Sequence, residues 1–177
     1  MKIKKTNFEG LKIIEGKKFL DKRGYFRETN KKKYIKNINF IFWCMSKSKK
    51  NVLRGLHLQI KEQQDKFISV IKGKILDVVV DLRKNSKTFG KHFRIELSDK
   101  NCKSLFIPKG FAHGFLTLDN ENIIFYGNSR YRSKKNEVGI IWNDKDLSIN
   151  WPKKKLLISS KDKKNISFKD FKTRYLK

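Results

Sequence analysis

The chain has 177 residues, enough to bury the core of one ordinary domain but too few for two unrelated ones, so we expect a single domain over residues 1–177. The formal net charge of +27 is the balance of 44 Lys and Arg residues against 17 Asp and Glu residues, and only eight of the basic residues are arginine. This composition argues against a nucleic-acid partner, because phosphate and base recognition favour arginine over dispersed lysine.

The sequence shows no pattern typical of a membrane or secreted protein. No stretch approaches the ~18 consecutive apolar residues of a membrane span. The first residues lack the apolar region of a signal peptide, and the two cysteines, Cys44 and Cys102, have no CxxC spacing. We therefore expect a cytoplasmic protein with reduced thiols and no membrane partner.

Short segments of alternating apolar and polar residues, separated by turn residues, predict a mainly β protein with a sandwich or barrel architecture. Helical patterns are scarce and short, as expected for peripheral helices. In chain order, the predicted strands are residues 11–15, 40–46, 51–59, 67–71, 74–83, 91–98, 104–107, 115–118 and 123–128, and the predicted helices are 31–36 and 167–175.

The most regular strand pattern covers residues 74–83. Its even positions from 76 to 82 are apolar, whereas Asp77 and Asp81 lie on the other face, which could line a ligand cavity. Only Lys72 and Gly73 separate this strand from the preceding one, and glycine can adopt a positive φ. The connection predicts a hairpin between the two strands.

Only three histidines are present, at positions 57, 92 and 113. Strict alternation places His57 on the same side of its strand as Leu53 and Gly55, and opposite Arg54, unless Gly55 introduces a bulge. A histidine in a strand-lined cavity is a candidate general base, since its ordinary pKa is about 6.5. These residues alone nevertheless favour a structural histidine, and both interpretations remain open.

Several kinds of site are absent from the sequence. Three histidines without an HxH pair are too few for a His-rich transition-metal site, so we predict no metal. The phosphate-binding patterns GxGxxG and GxxxxGK and the nucleophile pattern GxSxG are also missing. We therefore expect no cofactor and no hydrolase-type nucleophile.

Six segments together indicate a family. In chain order, these segments read DKRGYFRE at 21–28, VLRGLH at 52–57, DVVVDLR at 77–83, IPKGFAHGF at 107–115, WND at 142–144 and ISSKD at 158–162, and their order and spacing match those of one known family. On these segments, the chain resembles the dTDP-4-dehydrorhamnose 3,5-epimerase family over nearly its whole length. The resemblance implies a cupin-like double-stranded β-helix, or jelly roll, and a homodimer in which an N-terminal segment contributes to the partner's site.

The resemblance also implies an activity and a set of catalytic residues. The substrate would be dTDP-4-keto-6-deoxy-glucose, inverted at C-3 and C-5 through an enolate to give dTDP-4-keto-rhamnose. His57 matches the family's base and Asp162 its carboxylate partner. Tyr126 matches the proposed acid on the opposite face of the sugar, and Lys66 matches the lysine that holds the C-4 oxygen.

Further residues are implied as substrate contacts, with Arg54 expected on the diphosphate. The others are Arg23, Glu28, Asp77, His113, Tyr131, Arg132, Glu137 and Lys161.

The chain departs from the family pattern at two places. Phe42, Trp43 and Cys44 stand where relatives commonly carry a Gln-x-Asn pair that contacts the nucleotide portion, and Arg132 stands where many have a tyrosine. These departures leave the nucleotide selectivity open. The alternatives are a single-site epimerase on a related nucleotide-linked 4-keto sugar and a non-catalytic cupin that binds a sugar nucleotide.

Overall fold

The computed structural model describes residues 1–152 and 155–176, and most of the elements in these ranges are β-strands. Two short α-helices lie near the C-terminus, α1 (Ser160–Lys163) and α2 (Phe168–Tyr175), and 3₁₀ turns cover Lys32–Tyr34 and Lys134–Asn136. The strands are β1 (Lys2–Lys5), β2 (Lys12–Glu15), β3 (Lys18–Asp21), β4 (Gly24–Arg27), β5 (Phe42–Lys49), β6 (Val52–Gln59), β7 (Lys66–Lys72), β8 (Lys74–Asp81), β9 (His92–Ser98), β10 (Lys103–Ile107), β11 (Phe111–Thr117), β12 (Glu121–Asn128), β13 (Glu137–Gly139) and β14 (Leu157–Ile158).

The strands form two large antiparallel sheets. The first sheet has the order β1-β2-β10-β7-β12-β5, and the second has the order β13-β6-β11-β8-β9, with β14 added parallel to β6. Strands β3 and β4 pair with each other as a separate hairpin. This architecture confirms the predicted mainly β, cupin-like jelly roll with short peripheral helices.

Apolar side chains fill both faces of the second sheet. On β8, Ile75 and Val79 belong to the core between the two sheets, whereas Val78 and Val80 pack in the core that the C-terminal segment covers with Phe168. Since successive residues of a strand point to opposite faces, Asp77 shares the inter-sheet face with Ile75 and Val79. The predicted polar-capable face of this strand is therefore the face that looks toward the other sheet.

The hairpin predicted around Gly73 was wrong. Strand β7 pairs with β10 and β12 in the first sheet, whereas β8 pairs with β9 and β11 in the second. Gly73 does adopt a positive φ of 81°, and a Cβ there would lie 2.2 Å from the Glu121 carbonyl oxygen. The Lys72–Gly73 connection is consequently a tight corner at which the chain passes from one sheet to the other.

Other boundaries differ by a few residues from the sequence prediction. The strand predicted at 40–46 is β5, which begins at Phe42 and continues to Lys49, and β11 begins four residues before the predicted 115. The helix predicted at 31–36 is only the 3₁₀ turn Lys32–Tyr34, because Ile35 leaves helical geometry at φ −127°. Helix α2 agrees with the prediction, and the Ser167 side chain caps it by accepting a hydrogen bond from the Asp170 N–H.

None of the helices in the described part of the chain has the length and apolarity of a transmembrane segment.

Candidate active site

A cavity of about 500 Å³ opens between the two sheets. Strands β5, β7 and β12 supply one wall, and β6, β11 and β13 supply the other, together with residues of the segment that leads into α1. The residues along it include His57, Lys66, Tyr126 and Asp162. The structure thus brings into one pocket four side chains that lie up to 105 residues apart in the sequence.

An irregularity at Gly55 determines which side chains of β6 reach the pocket. The register between β6 and β11 shifts between His113 and Phe115, and Gly55 has a φ of 120°. A Cβ on Gly55 would lie 2.5 Å from the Gly114 Cα, so no other residue fits there. As a result, Arg54 and His57 both line the pocket, although strict alternation would place them on opposite faces of the strand. Of the two arrangements that the sequence allowed, the structure therefore has the one with a bulge at Gly55.

Asp162 holds the ring of His57. Its Oδ1 lies 2.6 Å from His57 Nε2, and its Oδ2 accepts the Gly55 N–H at 3.3 Å. Helix α1 presents this carboxylate in its first turn, where Ser159 Oγ accepts the Asp162 N–H at 3.0 Å. Burial alone would raise the pKa of Asp162, but the hydrogen bonds from His57 and Gly55 outweigh it and lower the pKa, so the carboxylate stays ionised.

Tyr126 lies on the opposite wall, on β12. Its hydroxyl shares a 2.7 Å hydrogen bond with Ser46 Oγ on the neighbouring strand β5. Burial raises the pKa of Tyr126 well above its ordinary value of 10.0, so the phenol keeps its proton. Ser46 was not singled out from the sequence, although Cys44, Ser46 and Ser48 follow the period of two that places them on one face of β5.

Lys66 begins β7 and lies directly across from Asn128 of β12. Burial lowers the pKa of this ammonium, while the negative charge of Glu137 opposes the shift. Within the described residues Lys66 forms no salt bridge. Arg54 likewise has no carboxylate partner among the described residues. Its guanidinium donates to Ser48 Oγ at 3.1 Å and to the Lys47 carbonyl oxygen at 3.4 Å. The pocket therefore contains two cations that no carboxylate of the described chain neutralises.

A second His–carboxylate pair lies at the pocket wall, where His113 lines the pocket and the fully buried Asp77 lies behind it. His113 Nε2 lies 2.8 Å from Asp77 Oδ2, and both side chains are buried. His113 pairs in register with His57 across β6 and β11, so the two imidazoles lie on adjacent strands. The other oxygen of Asp77, Oδ1, has no hydrogen-bond partner in residues 1–152 and 155–176.

Glu137 forms ion pairs with two cations at the rim of the pocket, Arg132 and Lys161. Arg132 donates to it through Nε at 2.8 Å and through Nη2 at 3.1 Å, and Lys161 Nζ binds the same carboxylate. Burial raises the pKa of Glu137, yet these hydrogen bonds outweigh burial and bring it down to about 2. The cluster is ionised at neutral pH and retains a surplus of positive charge.

Not every residue implied by the resemblance lies at this pocket. Arg23 is in the turn of the β3–β4 hairpin and is paired with Asp21, and Glu28 follows the hairpin and is paired with Lys31. The structure does not bring either of them to the pocket of their own chain, because the hairpin pairs only with itself. Tyr131 is mostly exposed and contacts the Phe42 ring, with the ring centroids 6.1 Å apart.

The three residues at positions 42 to 44 are placed differently. Phe42 and Cys44 line the pocket, whereas Trp43 stacks on Phe125 with ring centroids 5.1 Å apart. Asn128, on the neighbouring strand β12, also lines the pocket, although no sequence pattern predicts this. In the described ranges, no group of three or more His, Cys, Asp or Glu side chains is arranged to hold a metal ion.

Fold and site together define a cupin-type jelly-roll enzyme with a His–Asp dyad and a tyrosine on facing walls of one pocket. The family model described as dTDP-4-dehydrorhamnose 3,5-epimerase matches residues 5–170. The chain is 44% identical over 166 residues to the dTDP-4-dehydrorhamnose 3,5-epimerase of Methanothermobacter thermautotrophicus, covering 90% of each chain.

Solved structures agree with this match. The crystal structure of the Elizabethkingia anophelis dTDP-4-dehydrorhamnose 3,5-epimerase has a TM-score of 0.88 at 41% identity, with 96% of this chain and 97% of that chain covered. The dTDP-6-deoxy-D-glucose-3,5-epimerase of Legionella pneumophila, solved in complex with dTDP-4-keto-L-rhamnose, has a TM-score of 0.90 at 37% identity, with 94% and 92% covered. The chain belongs to the dTDP-4-dehydrorhamnose 3,5-epimerase family, as its sequence motifs indicated.

Proposed function

We propose that this protein is an isomerase that inverts C-3 and C-5 of dTDP-4-keto-6-deoxy-glucose to give dTDP-4-keto-rhamnose. The observation that carries the proposal is the pocket itself, which has the His57–Asp162 pair on one wall and the Tyr126 phenol on the facing wall. Inversion at carbon needs this arrangement, because a proton must leave from one face and return to the other.

The chemistry follows from the C-4 ketone. C-3 and C-5 both flank this carbonyl, so removal of either hydrogen gives an enolate whose negative charge rests on the C-4 oxygen. Lys66, a cation without a carboxylate partner in the described chain, is suited to stabilise that oxygen as its charge develops. Only protons move in this route, and it uses no redox cofactor.

His57 is the base in this scheme. When its Nε2–H donates to Asp162, the lone pair of Nδ1 is available to accept the substrate proton. The imidazolium formed in this step is stabilised by the Asp162 carboxylate, which the low pKa keeps ionised. His113 lines the same wall and contacts the substrate, and the buried Asp77 orients its ring through the 2.8 Å hydrogen bond.

Tyr126 is the acid that returns a proton on the opposite face. Its raised pKa keeps the hydroxyl protonated at neutral pH, and Ser46 orients it through the 2.7 Å hydrogen bond.

The diphosphate is bound by Arg54, whose guanidinium has free donors besides those given to Ser48 and Lys47. The surplus positive charge of the cluster of Arg132, Glu137 and Lys161 supports the same end of the ligand.

The quaternary structure is part of the proposal. We expect a homodimer in which the β3–β4 hairpin brings Arg23 and Glu28 to the partner's pocket. Phe19, Leu20, Tyr25 and Phe26 on this hairpin are all at least half exposed, as expected for side chains that a partner covers. We also propose a cytoplasmic location, consistent with the two free cysteines.

The direct test is to incubate the protein with dTDP-4-keto-6-deoxy-glucose in deuterated water and to follow the C-3 and C-5 protons by NMR. Exchange at both carbons, with formation of the L-rhamno product, is the expected result. Exchange at only one carbon would instead establish a single-site epimerase. Binding without exchange at either carbon would make the protein a non-catalytic sugar-nucleotide binder and overturn the proposal.

A further inference from the structure

Asn128 occupies a position in the pocket wall that the mechanism above does not use. It ends β12 and lies in register with Phe42 of β5 on one side and with Lys66 of β7 on the other. Its side chain is 5% exposed and lines the same pocket as Lys66 and Tyr126. Because it lies two residues after Tyr126 on the same strand, both side chains point to the same face of the sheet.

The hydrogen bonds of Asn128 leave one polar atom available. Its Nδ2 donates to the Phe42 carbonyl oxygen at 3.3 Å and contacts Cys44 Sγ at 3.8 Å, which together occupy both amide hydrogens. Among the described residues, none donates a hydrogen bond to Oδ1. An amide that lines the pocket and has an acceptor oxygen that no described residue uses can accept a hydrogen bond from a ligand.

Cys44 lies beside Asn128 on the neighbouring strand β5, with its Sγ 3.8 Å from the Asn128 Nδ2. Side chains at positions 44 and 128 therefore occupy the same part of the pocket wall.

We propose that Asn128 binds the substrate by accepting a hydrogen bond from a hexose hydroxyl beside the carbonyl oxygen that Lys66 holds. This inference rests on the proposed function. We assign Asn128 to the hexose rather than to the thymine of the nucleotide. Its strand neighbours are Lys66 and, two residues away, Tyr126, and both of these side chains are assigned to the sugar ring. A hydroxyl donates where the ketone can only accept, so the two neighbouring side chains match two adjacent oxygens of the sugar.

The test uses Asn128→Cys and the double variant Cys44→Asn/Asn128→Cys, which exchanges the two side chains. We expect kcat/KM for dTDP-4-keto-6-deoxy-glucose to fall about 3- to 10-fold in the single variant, as for the loss of one neutral hydrogen bond. The double variant should recover most of this loss. Calorimetric titration with dTDP, which lacks the hexose, should give the same affinity for the wild-type protein and the single variant.

Three results would overturn the inference. These are an unchanged kcat/KM in Asn128→Cys, a double variant as impaired as the single one, and a loss of dTDP affinity equal to the loss for the full substrate, which would assign Asn128 to the nucleotide. Thermal unfolding identifies a folding defect, in which case Asn128→Ser is measured in the same way. Deuterium exchange by the wild-type protein is measured separately. It tests the proposed epimerase activity independently of the proposed role of Asn128.

Discussion

Asp162 and His57 are 105 residues apart in the chain and 2.6 Å apart in the pocket. Neither hydrophobic periodicity nor local propensity predicts such a contact. The sequence around Asp162 indicates only a helix start, because Ser159 and Asp162 have the spacing of a capped first turn. The pairing was expected from the family resemblance alone, and its catalytic meaning remains a prediction.

Replacement of Tyr126 by Phe removes the phenolic proton donor while keeping the ring. We expect loss of substrate protons to continue in part, and the formation of inverted product to fall by a factor of about 10² or more, since a positioned general acid typically contributes that much. NMR of the product stereochemistry, together with deuterium incorporation, measures the two steps separately. Full-rate formation of inverted product would remove Tyr126 from the acid role.

The pH dependence of kcat tests the role of Lys66. Burial lowers the pKa of this ammonium below its ordinary value of 10.5, so its charge is lost at a lower pH than for an exposed lysine. We therefore expect kcat to fall on the alkaline side below pH 10.5, while Tyr126, whose pKa is raised, is still protonated. Lys66→Arg should move this alkaline limb to higher pH because arginine stays charged. An unmoved limb would contradict the assignment.

At the scale of the elements, strand patterns were easier to predict than strand partners. The alternation in residues 74–83 correctly indicated β8 and a polar residue on its inner face, but Asp77 does not line the pocket itself and instead pairs with His113, which does. The two-residue connection at Gly73 nevertheless suggested the wrong partner. A tight turn with a positive φ is compatible with a hairpin and with a corner between sheets, and only the long-range pairing with β10 and β11 decides between them.

The connection after β8 is stabilised by a buried carboxylate. Asp81 accepts hydrogen bonds from the Arg83 guanidinium, from Ser86 Oγ and from Thr88 Oγ1. Burial raises its pKa, but these donors outweigh burial and lower it below 3.8.

Asp81→Asn should therefore lower the free energy of unfolding at neutral pH by about 2 kcal/mol. A depressed carboxyl pKa adds stability that is present above the unfolded-state value and is lost as the pH falls through the folded-state value. The difference between the wild-type protein and the variant should thus shrink below about pH 4, as measured by urea denaturation. A difference that does not change between pH 7 and pH 3 would show that the charge of Asp81 is not the cause.

For the whole molecule, composition and pattern were sufficient to predict a mainly β sandwich or barrel, and the resemblance specified the jelly roll. The lysine-rich charge carried little information about the site, where Arg54 and Lys66 matter by position. Ser46 and Asn128 were missed because a polar residue on a strand becomes meaningful only when its neighbour across the sheet is known.

The exposed hairpin leads to a prediction about assembly. Phe26 is 65% exposed and its ring lies 6.3 Å from that of Phe19, forming an apolar surface on β3 and β4. We expect the wild-type protein to sediment as a dimer and Phe26→Asp to shift it toward monomer with a loss of activity. Wild-type protein that remains monomeric at every concentration in sedimentation velocity would refute the proposed dimer.

In the proposed reaction, the His57 imidazole removes the protons that flank the ketone. Deuterium incorporation at C-3 and C-5, followed by NMR for His57→Ala beside the wild-type protein, measures this step. We expect exchange at both carbons in the wild-type protein and none above background in a variant that is folded by circular dichroism. Near-normal exchange in the folded variant would remove His57 from the mechanism.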